Sequence, residues 1–145
     1  MALLGTVLAL VVDLALGVWL GTIVFFSFVA APRTFAVLSR DQAGDVVNDI
    51  FPRYYRLGVL LGIAAVAAAG IGLVVARSTL LVVVVVATGT GVALAAYSAW
   101  VLIPQMEAAG EDAFETYHRR SVVLNGITLL AVAIAFLASH LANWG

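Results

Sequence analysis

Thr79–Ile103 reads TLLVVVVVATGTGVALAAYSAWVLI and holds no charged residue. About 20 apolar residues let a helix cross the hydrocarbon of a bilayer, so the stretch reads as a membrane span. In lipid the backbone must satisfy its own hydrogen bonds, which makes this span a helix despite its valines. Working outward finds three more. Tyr55–Ala76 lies just before it, Leu3–Val29 comes first with Asp13 as its one charge, and Ser121–Asn143 comes last. The expected fold is an all-α integral membrane protein. It is one domain, an antiparallel bundle of four transmembrane helices, with a short amphipathic helix between helices 1 and 2.

Composition agrees. The 145 residues are 64% hydrophobic and 10% charged, with a mean hydropathy of +1.15. A soluble domain is nearer half apolar and a quarter charged, so the lipid bilayer is the main partner of this surface. A net charge of −1 and the lack of a basic face exclude nucleic acid. The absence of cysteine excludes disulfides, thiolate metal sites and a cysteine nucleophile. No Lys or Arg precedes Arg33, and Asp13 interrupts a long first run. That run therefore reads as a retained span rather than a secretory signal.

Charge sets the expected orientation. Six of the seven Arg lie in or beside connections 1 and 3: Arg33, Arg40, Arg53, Arg56, Arg119 and Arg120. Only Arg77 lies on the other side. The positive-inside rule then places those connections in the cytoplasm and both termini outside a cell membrane.

Connection 1 carries its own helix signal. Ser39 and Gln42 are spaced as a capping box. Ala43, Val46, Val47, Ile50 and Phe51 make one apolar stripe, with Arg40, Asp41, Asp45 and Asp49 opposite. Pro52 suits the first turn of helix 2. Gly17/Gly21 and Gly58/Gly62 are small-residue pairs of the kind that let helices approach, offering faces for a homo-oligomer.

Two polar clusters gather at the cytoplasmic feet of the spans, Phe51–Arg56 and Tyr117–Arg120. With Tyr97 and Asn125 they outline a pocket for an anionic or metal-bearing ligand. Its residues are Arg53, Tyr54, Tyr97, His118, Arg119 and Asn125. Arg53 and Arg119 supply cationic contacts, and His118 serves as proton carrier or ligand. The plainer reading is that Arg and Tyr anchor helices at the interface, with Arg53 or Arg56 paired to Asp49, Glu111 or Glu115. Asp13 stands alone, about ten residues or ~15 Å inside helix 1. A carboxyl there carries protons, binds a cation, or bonds Thr hydroxyls to hold helices in register. Thr88, Thr90 and Thr128 lie at comparable depth.

The residues require no cofactor. His118 and His140 are 22 apart, or ~33 Å of helix, too far to share one ion. No metal site is expected; His118 with Met106 is the one pair that would ligate haem iron or copper. No Ser–His–acid spacing, P-loop or dinucleotide fingerprint is present, so no catalytic residue is assigned and nothing points to an enzyme.

Phe25–Pro32 with Phe35 and Leu38, then Gln42–Gly44, Phe51–Tyr55, and His118–Ser121 with Asn125 together resemble the transmembrane protein 205-like family. Its prokaryotic members are four-helix membrane proteins of unknown function. That family is in turn distantly similar to copper-resistance-D-like membrane proteins, some of which bind haem or metal. The resemblance implies recurring residues at Pro32, Phe51, Pro52, Arg53, Tyr54, His118 and Asn125. Three functions follow as expectations: a protein that binds or moves a small ligand or ion, a haem- or metal-binding redox protein, and a structural assembly subunit. Transport through four helices would call for an oligomer, since transporters are usually built from more.

Overall fold

The computed structural model describes residues 2–110 and 113–145. Among them there is no β-strand. Four helices are long and apolar enough to cross a membrane: α1 (Ala2–Val37), α2 (Arg40–Ala76), α3 (Thr79–Ala109) and α4 (Phe114–Leu141). Each packs on the next, and α4 returns to α1, closing a four-membered antiparallel ring. This is the expected multi-pass membrane bundle. One end carries both termini and the α2–α3 turn; the other carries the remaining two connections.

Local chemistry explains the turns. Leu38 and Ser39 are extended and join α1 to α2. Ser39 Oγ accepts from the Gln42 amide at 3.4 Å, and Gln42 Oε1 accepts from the Ser39 amide at 3.4 Å, forming the expected capping box. Arg77 ends α2 in the left-handed region (φ 50°), its amide bonded to the Leu73 carbonyl. Gly110 ends α3 at φ 71°, a value that favours glycine. Ser39→Ala should lower stability by about 1 kcal/mol. Hydrogen exchange should show the loss as faster exchange confined to residues 40–50, with the membrane spans unchanged.

The amphipathic segment is present but is not separate. It forms the first turns of a 37-residue α2 that runs straight through Pro52. Proline removes the bond to the Asn48 carbonyl and loosens the adjoining turn. Arg53 Nη1 donates to the Asp49 carbonyl at 2.6 Å and pairs with Asp49 Oδ2 at 2.6 Å, bracing the helix beside Pro52. Of the apolar stripe, Ala43 and Val47 are buried and Phe51 half-buried, while Val46 and Ile50 stay exposed.

Pro32 and Pro104 also lie within continuous helices. Each follows a five-residue π-turn, Phe26–Ala30 in α1 and Ser98–Leu102 in α3. In each, an amide reaches back five residues: Ala31 to the Phe26 carbonyl, Ile103 to the Ser98 carbonyl. The wider turn gives the proline ring room that a regular α-turn denies. It also re-phases every side chain beyond it, and such turns recur at functional sites.

Trp19 is the centre of the packing. It is 3% exposed and lies on backbone left bare by glycines of two neighbouring helices. A Cβ added at Gly58 would stand 2.5 Å from its Nε1, and one at Gly91 3.1 Å from its Cη2. One added at Gly62 would meet both the ring and Val92. The Gly58/Gly62 pair thus receives Trp19 within the chain. Gly17 faces Phe136 of α4, and Gly21 faces open space.

Candidate functional site

At the end bearing connections 1 and 3, α1, α2 and α4 enclose a cavity of about 430 Å³. From α1 come Phe26, Ser27, Phe28, Ala31, Pro32 and Phe35. From α2 come Phe51, Tyr54 and Tyr55, and from α4 His118, Val122, Asn125, Gly126 and Leu129. The α1 contribution is the π-turn and the proline turn after it. Exposed Phe28, Phe35 and Val122 flank the mouth, which lies between α1 and α4. That seam faces lipid in a membrane-embedded bundle.

The back wall is an aromatic stack. Phe26 and Tyr54 have ring centroids 4.9 Å apart, Tyr54 and Tyr55 4.9 Å, and Phe26 and Phe51 5.6 Å. Their polar ends are tied down. The Tyr54 hydroxyl donates to Asn125 Oδ1 at 2.7 Å, and Asn125 Nδ2 donates to Ser27 Oγ at 2.9 Å. The Tyr55 hydroxyl meets Ser121 Oγ at 3.2 Å. Asn125 therefore bridges three helices, accepting one hydrogen bond from α2 and donating one to α1. An amide at this depth requires such partners.

Three of the six residues expected to form the pocket meet there: Tyr54, His118 and Asn125. The other three do not line it. Arg53 is exposed and paired with Asp49. Tyr97, 41% exposed, lies on the outward face of α3, and Arg119 is exposed on α4. Arg120 instead covers the Tyr117 ring at 5.8 Å. Glu111, one expected partner for the Arg residues, lies outside the described residues. Met106 lines a different cavity, near Arg40, Asp41, Asp45 and Glu107. Among the described residues no group of three His, Asp or Glu could hold a metal ion. Met106 and His118, the pair expected to ligate haem iron or copper, thus line different cavities.

Asp13 has partners that spacing did not reveal. Ser139 Oγ donates to Asp13 Oδ1 at 2.8 Å, and His140 Nδ1 lies 3.7 Å from the same oxygen. The threonines take no part. Thr90 and Thr128 bond carbonyls of their own helices, and the Thr88 hydroxyl is buried without a partner. His140 lies level with Asp13 because α4 stops short. Beyond Leu141 the chain continues extended at Ala142, with the Trp144 ring against Gly72 and its carbonyl against Gly5. Gly5 is eight residues, or ~12 Å, further out along α1 than Asp13. The one available signal was register: positions 13 with 139 and 27 with 125 describe a single antiparallel pairing of α1 with α4.

Comparison with known proteins gives a family and no activity. No solved structure matches the chain. An uncharacterized protein of Aquifex aeolicus (strain VF5) is 33% identical over 118 residues, covering 79% of this chain and 83% of that protein. Residues 14–115, well over half of the chain, match the family described as a domain of unknown function, DUF4149. These matches support neither the transmembrane protein 205-like nor the copper-resistance-D-like naming; they do support a family of unknown function. The aromatic cleft and its Tyr54–Asn125 bridge are thus features of a chain that belongs to the DUF4149 family.

Proposed function

We propose that this protein binds a small amphiphile that enters the cleft sideways from the lipid. One observation carries the reading: a 430 Å³ cavity walled by aromatic side chains, with a few hydrogen-bonding groups at its back and its mouth on the α1–α4 seam. Ligand sites are concave, mostly apolar, and oriented by few polar groups, within a range of about 300–1,000 Å³. Among the described lining residues, His118 is the only side chain that can carry a cationic charge. The chemistry favours a neutral, hydrogen-bonding head on an apolar body over the anion suggested by the nearby Arg residues. With connections 1 and 3 cytoplasmic, the cleft opens in the cytoplasmic leaflet.

Photolabelling tests this. A long-chain alcohol carrying a diazirine is added to the full-length protein in vesicles, irradiated, and mapped by mass spectrometry. Label is expected on the cleft residues of α1 and α4. A Cβ at Gly126 has open space around it, so Gly126→Leu fills the cleft without disturbing the bundle. Labelling there should fall about tenfold, the equivalent of about 1.4 kcal/mol of binding. Arg53→Ala should leave the label where it was. Label spread evenly over all lipid-facing helices, and indifferent to Gly126→Leu, would end the reading.

A further inference from the structure

A second polar cluster lies far from the cleft. Asp13 and Ser27 are 14 residues apart on α1, so the two clusters are separated by ~21 Å along the same seam. Asp13 lies about 11 residues from the start of α1, or ~16 Å in, within its apolar run. Ionisable groups at that depth are costly and pair with one another. Here the only acid of α1 meets the only histidine of the far half of α4, across 127 positions of sequence.

The hydrogen bonds assign the protons. His140 Nδ1 is 2.9 Å from the Phe136 carbonyl, which can only accept, so Nδ1 carries hydrogen. Ser139 Oγ has one hydrogen to divide between Asp13 Oδ1 and the Phe136 carbonyl at 2.9 Å. Its hydrogen is turned away from His140. The trio is therefore not a nucleophilic serine with its base, because that needs the serine to donate to the imidazole. Asp13 Oδ1 instead gathers donors: Ser139 Oγ now, and His140 Nδ1 after a small ring movement from 3.7 Å. The Asp13 and His140 side chains remain 34% and 50% exposed. Beyond them the 142–145 segment crosses the end of the bundle, where Trp144 Nε1 donates to the Ser139 carbonyl at 3.0 Å.

We propose that Asp13, Ser139 and His140 form a proton-binding site that loads through the half-exposed His140 ring. His140 takes a proton at Nε2 and passes the Nδ1 proton to Asp13 Oδ1. The imidazole is left neutral as its other tautomer, and the carboxyl is left protonated; one proton has been bound. The two distinct ring nitrogens make histidine suited to this relay. Among the described residues, no other side-chain hydrogen bond or ion pair from a titratable group reaches Asp13 or His140. α2 has no titratable residue between Arg56 and Arg77, and α3 has only Tyr97 between Thr79 and Met106. A metal cation would want several oxygens, and here a single carboxylate and a hydroxyl that is already donating are on offer.

The test uses dicyclohexylcarbodiimide, an apolar reagent that modifies protonated carboxyls in membranes, on the full-length protein in vesicles. Asp13 is expected to be the modified acid, with modification falling as pH rises and unchanged when choline replaces sodium. His140→Gln and, separately, Ser139→Ala should each change the rate at fixed pH about fivefold, the equivalent of one lost hydrogen bond. No modification of Asp13 at any pH would overturn the site. Protection by sodium at constant pH would replace the proton by a metal cation. Rates unmoved in both variants would reduce the cluster to a lone acid. The cleft can fail its photolabelling test without touching any of these outcomes.

Discussion

Trp19→Ala is expected to cost about 3–5 kcal/mol, the largest single effect in the molecule. The indole is buried on Gly58 and Gly62 of α2 and reaches Gly91 of α3. Between helices in lipid the hydrophobic term is weak, because acyl chains are as apolar as leucine. What remains is close packing, and a void at this point forfeits it on two interfaces at once. Equilibrium unfolding in mixed detergent, followed by circular dichroism, would measure the loss. Gly62→Ala should also destabilise, because its Cβ would overlap Val92 and the Trp19 ring. Trp19→Phe should recover part of that loss, so the pair should be non-additive. A Trp19→Ala protein as stable as wild type would show that the glycines are not a receptor for the indole.

Asn125→Leu comes next. Leucine keeps nearly the same volume and removes both bonds that link Tyr54, Asn125 and Ser27. Hydrogen bonds between membrane helices average only about 0.6 kcal/mol each. Two hydroxyls left without partners raise the expected loss to about 2 kcal/mol. Adding Tyr54→Phe removes one of those orphans, so the double variant should be more stable than Asn125→Leu alone. The same experiment reads function. Asn125→Leu should reduce cleft photolabelling, while Arg53→Ala should not, since Arg53 braces the turn beside Pro52 and does not line the cavity. Equal labelling in the two variants would separate the bridge from the ligand and leave it a purely structural device.

Much of the architecture is legible in the chain itself. Apolar runs long enough to span, with charge confined to their ends, require four helices, because lipid offers the backbone no alternative. The Ser39/Gln42 spacing located the start of α2. Tyr54, His118 and Asn125 stood out as polar groups in apolar surroundings, and they do share a cavity. What stayed hidden was how far each helix runs and which way it faces. Pro52 suggested a helix start, yet α2 continues through it with help from the Arg53 side chain.

Sequence alone determined the solvent, the helices and their antiparallel order, since hydropathy and backbone satisfaction are local properties. Tertiary structure alone decided that Arg53, Tyr97 and Arg119 stay outside the cleft, that Trp19 fills the Gly58/Gly62 groove, and that Asp13 meets Ser139 and His140. The reason is rotational. A helix that is apolar on every side has no stripe to declare its inward face. Its rotation and register come from shape and from a few bonds between residues 98 and 126 positions apart.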